Sequence, residues 1–284
     1  MPTGRLQDRI LKKLISLGIN KISDPARIRE LICYAAQISG SDLLQLAYYD
    51  RGILKYQDDI TSGEQYFVDE FLKEAVTSDR PTFVDVGAHV GKYSRNLRAS
   101  FPRATVIAFE PNPITFAELA KQFPAGEVRC INLGLGSRRA RLPIFSYADN
   151  TTSSHASVYA DVLTGLHGAD TVAQMEIEID TLDEQCRTLG VDYIDLLKID
   201  TEGHELEVLK GATSLIAEQR IGIIQFEFNE MNTVSRVFLR DFYTMMSGYD
   251  FFRLDSSRLI PLGNYDTANE IFKFQNIVAR QKSA

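Results

Sequence analysis

The sequence reads as an α/β protein with a helical extension over 1–80 and one larger domain over 81–284. Three observations carry that reading. From Pro81 onward, short apolar segments alternate with amphipathic ones, as strands and helices do in a mostly parallel sheet covered on both faces. An apolar, β-branched run over 83–86 feeds directly into Asp85-Val86-Gly87-Ala88-His89-Val90-Gly91 and then into helical sequence, the layout of a nucleotide-binding turn. A second apolar run over 105–109 ends in Glu110, 25 residues after Asp85, near the spacing at which doubly wound folds present a carboxylate to a ribose.

The extension opens on a basic amphipathic helix over 5–17. Leu6, Ile10, Leu14 and Ile15 share one face, with Arg5, Arg9, Lys12 and Lys13 off it. This face suits packing on its own domain or on a second copy in a homodimer, and peripheral membrane contact is the alternative. Ser23, Asp24 and Pro25 announce a second helix, which turns Ile28, Leu31, Ile32 and Ala35 inward and stops near Gly40. A third, over 64–77, spaces Phe67, Phe71 and Ala75 four apart and leads into the glycine-loop strand.

Strands over 83–86, 105–109 and 127–131 then alternate with helices over 91–100 and 114–123. A short strand over 141–145 precedes a polar stretch over 146–174, too long for a plain connection and expected to be a functional loop. The alternation of 175–180 suits an edge strand. A strand over 194–199, a helix over 204–210, a strand over 221–227 and an antiparallel pair over 251–254 and 272–280 complete the order.

Bulk composition narrows the function. The chain has 284 residues, 44% hydrophobic and 24% charged, as in an ordinary globular protein. A net charge of −7 argues against a nucleic-acid partner, which calls for surplus Lys and Arg, and favours a small-molecule or carbohydrate substrate. Cys33, Cys130 and Cys186 are widely spaced and outside any C-x-x-C pattern, as reduced thiols of a cytoplasmic protein would be. No apolar run has the length of a membrane span, and Lys12 and Lys13 interrupt what would otherwise resemble a signal segment.

The cofactor follows from what the glycine loop lacks. A pyrophosphate on a helix N-terminus calls for G-x-G-x-x-G, and here the first glycine position holds Asp85. A carboxylate there repels a diphosphate but attracts the ammonium of an amino-acid tail. S-adenosylmethionine has that tail and no phosphate, whereas a nicotinamide dinucleotide is disfavoured.

A second constellation lies at the end of the strand over 194–199, where Lys198, Asp200, Glu202, His204 and Glu205 gather at the sheet edge that holds ligands in open α/β folds. His204 sits near a helix N-terminus, which disfavours the imidazolium and leaves the neutral ring that a general base requires. Gln225, Glu227 and Asn229 alternate along the next strand and either line the acceptor pocket or form a polar face beside a loop. No set of residues has a spacing specific to a metal, and none is expected.

The runs FVDVGAHVGKYS, IAFEPNP and LLKIDTEGHELEVLKGA resemble the FkbM family of S-adenosylmethionine-dependent methyltransferases over about residues 60–230, and TSGEQYFVDEFL is similar to its lead-in. The resemblance implies a seven-strand, Rossmann-like sheet of the class I methyltransferase type and O-methylation of a hydroxyl, foremost on a sugar or glycan. A polyketide alcohol as acceptor, or a non-catalytic cofactor-binding scaffold in glycan assembly, are the alternatives. It implies that Asp85, Gly87 and Gly91 form the first cofactor motif, with His89 meeting the methionine moiety through its backbone. Glu110 becomes the ribose acid, with Pro111 and Asn112 beside the adenine. Lys198, Asp200, Glu202 and His204 fall on the acceptor side as catalytic candidates, Asp200 or His204 as base and Glu202 orienting. Substrate choice is expected in the 146–174 loop, where His155 is the reserve candidate.

Overall fold

The computed structural model describes residues 24–147, 156–166, 168–169 and 171–282. Chain contacts divide the protein into two units, Met1–Asp50 and Arg51–Ala284. In the first unit, Asp24 accepts a hydrogen bond from the Ala26 N–H to start helix α1 (Pro25–Ser39), Gly40 closes it, and α2 (Leu43–Asp50) follows. The inward face expected on α1 does not form. Leu31 and Ile32 are each half exposed, Ala35 is exposed and Ala36 is the buried residue of the helix. Two short helices offer too little apolar surface to enclose a core of their own. The basic helix expected over 5–17 lies outside the described residues.

The larger unit begins well before the boundary expected at 80. Helical turns Asp59–Ser62 and Glu64–Tyr66, a π-helical turn Phe67–Phe71 and a last turn Leu72–Ala75 replace the single helix expected over 64–77. Phe67, Val68 and Leu72 are buried with Phe83 and Leu97, so this segment is part of the sheet's own core.

In chain order the strands are β1 (Thr82–Val86), β2 (Thr105–Phe109), β3 (Arg129–Ile131), β4 (Gly134–Leu135), β5 (Ala140–Tyr147), β6 (Val172–Asp180), β7 (Ile194–Ile199), β8 (Ile221–Phe228), β9 (Tyr249–Asp255), β10 (Arg258–Pro261) and β11 (Gln275–Gln281). The main sheet has eight strands, in the order β10-β9-β11-β8-β7-β1-β2-β3, where the sequence led us to expect seven. The strand not anticipated, β10, is a four-residue edge partner of β9 whose pattern is too short to read. The run from β3 to β8 is parallel; β11, β9 and β10 add antiparallel pairs.

Period-two alternation builds a core on each face of this sheet. Val84, Val86, Leu197 and Ile199 face one cluster, and Phe83, Leu196 and Val106 the other. Helices α3 (Lys92–Ser100), α4 (Pro113–Gln122), α5 (Leu182–Leu189), α6 (Glu205–Lys210) and α7 (Thr213–Ala217) fall close to the sequence reading or extend it. The short helices α8 (Met231–Ser235) and α9 (Leu239–Met245) were not anticipated; Phe242 of α9 stacks on Phe226 with ring centroids 4.3 Å apart.

The edge strand expected over 175–180 is instead the centre of a separate three-stranded sheet, β4-β6-β5. Its alternation buries Ile177 and Ile179 and exposes Glu176 and Glu178, but its partner is β5, register Ile177 to Leu142. The long segment after Tyr147 is therefore the connection between two paired strands. Its residues 148–155, with His155, lie outside the described residues, as does His167.

Candidate active site

Strand β1 has β2 on one side and β7 on the other, so the order of connections reverses there, and the carboxyl ends at such a switch leave a crevice for ligands. Asp85 pairs in register with Lys198 and Val86 with Ile199, which brings Gly87 and Asp200 side by side just beyond the sheet. The contact is close enough to demand glycine. Gly87 has φ +79°, and a Cβ there would come within 1.8 Å of the Asp200 carbonyl oxygen. Gly91, at φ +81°, lets the loop approach Leu119 and Phe123 of the following helical layer.

Glu110, 6% exposed, organises the first part of the crevice. One of its oxygens accepts the His89 N–H at 2.9 Å and the other the Asn112 N–H at 2.9 Å. Burial pushes its carboxyl up to about 7 against the effect of these two donors, and Asp85 and Asp200 add to the rise. Pro111 lines the cleft beside it, while Asn112 is buried beneath and caps α4 by accepting from Ile114 and Thr115. The far wall comes from the small sheet: Ile144, Ile177 and Ile179 face the crevice, with Leu133 and Leu135 below. None of these wall residues carried a functional signal in the sequence, because their periodicity is that of any half-buried strand.

Asp85 does not line the cleft. It is 1% exposed and accepts the Ser94 hydroxyl at 2.7 Å, tying the start of α3 to β1, and burial raises its pKa. Lys198 is likewise beneath the surface, 2.8 Å from Asp200 and 5.3 Å from the Tyr93 ring centroid. Burial opposes its charge, but Asp200, Glu64 and Asp85 outweigh that effect and hold the ammonium on. Around it lies a polar network the sequence did not single out: the Tyr93 hydroxyl donates to Gln225, whose amide donates to Glu64 and Asn276 at 3.3 Å each. Gln225 is thus fully buried and away from the acceptor side, whereas Glu227 and Asn229 reach it.

Two clefts meet at Gly87, His89, Asp200 and Glu202. The first is the one Glu110 organises; the second is lined by Tyr56, Phe274, Met231 and the acids Glu227 and Glu230. At the junction, His89 (φ +50°) and Glu202 (φ +53°) hold left-handed backbone without being glycine, a cost of order 1–3 kcal/mol each that a packed site sustains. Glu205 fixes the turn: one buried oxygen accepts from the Thr201 N–H, the Thr201 hydroxyl and the Gly203 N–H at 3.0–3.1 Å. Ser157, from the connection between β5 and β6, donates its hydroxyl to the Glu202 carbonyl at 2.8 Å. Burial raises Glu202 well above the usual carboxylate range, with Glu227, Asp200 and Glu205 adding to it, and Glu227 is raised by burial and by Asp200 in the same way.

His204 stands apart from the acceptor-side cleft. It lines the Glu110 cleft instead, 9% exposed, beside Gly136 and with its ring centroid 6.1 Å from that of Tyr159. Burial lowers its pKa and keeps the ring neutral, and its Nδ1 has no hydrogen-bond partner among the described residues.

A mostly parallel sheet with an acid at the end of its second strand and, beside it, an aliphatic-walled cleft that no Lys or Arg lines among the described residues is the architecture of a Rossmann-like methyltransferase. The chain belongs to the FkbM family of methyltransferases: the family's Methyltransferase FkbM domain matches residues 85–251. It is similar to the hexuronic acid methyltransferase AglP of Haloferax volcanii, 31% identical over 215 residues, 76% of this chain and 80% of that one. The methyltransferase sdnD of Sordaria araneosa is 29% identical over 173 residues, 52% of this chain and 66% of the relative, so the chain spans about two thirds of that protein's length. The 2-O-methyltransferase NoeI of Sinorhizobium fredii is 22% identical over 165 residues, 53% of this chain and 65% of that one. Among solved structures, an FkbM methyltransferase from Methylobacillus flagellatus aligns with a TM-score of 0.45 at 14% identity, over 76% of this chain and 47% of that one.

S-adenosylmethionine is the cofactor of this family and of this chain. The residues present fit it. The Gly87 and Ala88 N–H groups both donate to the Phe109 carbonyl at 3.0 Å and the His89 N–H to Glu110, so the loop's donors are engaged within the protein rather than offered to a pyrophosphate. Each Glu110 oxygen keeps acceptor capacity for a ribose hydroxyl after receiving one backbone donor, and the aliphatic wall suits an adenine face.

Proposed function

We propose that the chain is an O-methyltransferase that methylates a hydroxyl of a sugar or glycan. The observation that carries this is the meeting of the two clefts at Asp200 and Glu202, which sets carboxylates between the cofactor side and a second, open pocket. The relative AglP, a hexuronic acid methyltransferase, supports a carbohydrate acceptor, and NoeI, a 2-O-methyltransferase, supports an oxygen as the methylated atom.

Bound S-adenosylmethionine supplies a methyl group already activated on a sulfonium, so the protein's part is alignment and proton removal. An alcohol does not ionise free at neutral pH, and a positioned base contributes about 10²–10⁴-fold. We assign that role to Glu202. Burial and neighbouring carboxylates make it more basic than an ordinary glutamate, and it faces both clefts. Asp200, tied to Lys198, orients the hydroxyl. The same acids argue for a hydroxyl over a carboxylate as the methylated group: an anionic acceptor needs a cation beside it and no base. Glu110 and Pro111 hold the adenosine end, and His204, placed in that cleft, serves the cofactor.

The test is incubation with S-adenosylmethionine and a panel of sugars, read by mass spectrometry for a gain of one methylene and by release of S-adenosylhomocysteine. Transfer to a sugar supports the assignment. Transfer confined to polyketide alcohols, or cofactor binding without turnover on any alcohol, refutes it.

A further inference from the structure

The acceptor-side cleft has an aromatic pair at its mouth. Tyr56 is 65% exposed, although it sits at the mouth of a pocket, and its ring meets Phe274 edge to face with centroids 6.0 Å apart. The pair is held by the backbone: the Leu54 N–H donates to the Phe274 carbonyl at 2.8 Å, and Leu54 itself takes φ +63° to turn the chain there. A flat aromatic face beside hydrogen-bond acceptors takes a molecule with one apolar face and a hydroxylated rim, which is the form of a pyranose ring.

The charge of the lining narrows the choice. Asp200, Glu202, Glu227 and Glu230 all face the pocket, and no Lys or Arg lines it among the described residues. Lys198, beneath the lining, is 4% exposed and already paired with Asp200. The pocket resists even its own charge, since Glu202 and Glu227 are driven up by burial and by the acids around them. A carboxylate on the ligand would have to give up water there with no cation beside it to offset the loss. The hydroxyls of an uncharged ring would instead donate to these oxygens.

We infer that the acceptor is an uncharged sugar ring seated on Tyr56, with Phe274 beside it, and that a lining without a cation rejects sugars bearing a carboxylate, in contrast to the hexuronic acid named for the relative AglP. This rests on the assignment of a sugar acceptor made above. The test uses the full chain, S-adenosylmethionine and matched methyl glycosides: those of glucose, galactose and mannose against those of glucuronic, galacturonic and mannuronic acid. We expect transfer to at least one neutral glycoside to exceed that to its uronate by about tenfold or more in kcat/KM. Tyr56→Ala should raise the KM for the neutral sugar by about tenfold while the affinity for S-adenosylhomocysteine stays unchanged, and Tyr56→Phe should keep the parent KM. Glu230→Gln should narrow the gap between neutral and acidic sugars. Equal or faster transfer to uronates, or an unchanged KM in Tyr56→Ala, overturns the inference and leaves the sugar assignment standing. Absence of transfer to every glycoside by a chain that binds the cofactor and methylates a polyketide alcohol overturns both.

Discussion

Glu110 gives the sharpest test of the cofactor site, because its environment fixes both a magnitude and a pH dependence. Its two oxygens each accept one backbone N–H at 2.9 Å, and a ribose diol would complete the shell with two further donors. Loss of such charge-assisted bonds from a desolvated site costs on the order of 1.5–3 kcal/mol, so Glu110→Ala should weaken binding by roughly ten- to a hundredfold. The unmodified protein offers a gentler perturbation. With its carboxyl raised by burial to about 7, Glu110 is mostly protonated one unit below that value and mostly ionised one unit above. Hydroxyl donors favour the ionised form, so affinity should rise by about tenfold from about pH 6 to about pH 8 and then level off. Binding at the lower pH should release a proton. Calorimetry with S-adenosylhomocysteine in two buffers of different ionisation enthalpy measures both quantities. Glu110→Gln is the control. Its amide NH₂ must face the N–H of either His89 or Asn112, donor against donor, which weakens the loop by about 1–3 kcal/mol, and the variant should lose the proton release. Affinity independent of pH in the parent, or the same proton release in parent and Glu110→Gln, would refute the assignment of this carboxylate to the ribose.

The acceptor-side acids separate by kinetics: Glu202→Gln and Asp200→Asn should each lower kcat by about 10²–10⁴-fold with cofactor affinity nearly unchanged, and Glu202→Gln should abolish the acidic limb of the pH–rate profile. His204→Ala should weaken S-adenosylhomocysteine binding and leave kcat within a few fold; a loss of kcat at unchanged affinity would restore it as the base. The unliganded fold should be more stable near pH 6 than near pH 8, a rise in Tm that differential scanning fluorimetry reads directly. Burial raises Glu64, Asp85, Glu110, Glu202, Glu205 and Glu227 in the folded state, so the native protein holds protons that the unfolded chain has released, and that stability is lost as pH climbs through the raised values, against the opposing shift of His204, whose ordinary value lies in the same pH range. Dialysis against a chelator should leave turnover intact because Lys198 already supplies the counter-charge to Asp200; activity restored by Mg²⁺ or Mn²⁺ after a loss would contradict this.

Much of the molecule is written in local pattern. The strand over 83–86, the loop to Gly91, the acid at 110 and the cluster after 199 could be read because each lies on one short element whose period, caps and breakers act over a few residues. Gly87 and Gly91 belong to the same class, since each falls in the turn between an apolar run and a helix, where the backbone does take left-handed angles. What sequence could not supply was which side of a buried strand end each polar group would face. Asp85 went under the loop to Ser94, nine residues on, while Gln225 went into the network with Tyr93 and Glu64 and His204 to the cofactor side through residues far away in the chain. The alternation of 175–180 marked a half-buried strand correctly, yet its partner was the strand ending at Tyr147 rather than the main sheet, because pairing is chosen by long-range packing and not by period. Tyr56 and Phe274, more than two hundred residues apart, meet only because the chain before β1 and the chain before β11 close on the same sheet edge. Local propensity therefore determined the elements and the chemistry they carry. Tertiary packing decided which of those groups share a cleft, since burial and charge coupling act through space and leave no mark on neighbouring letters of the sequence.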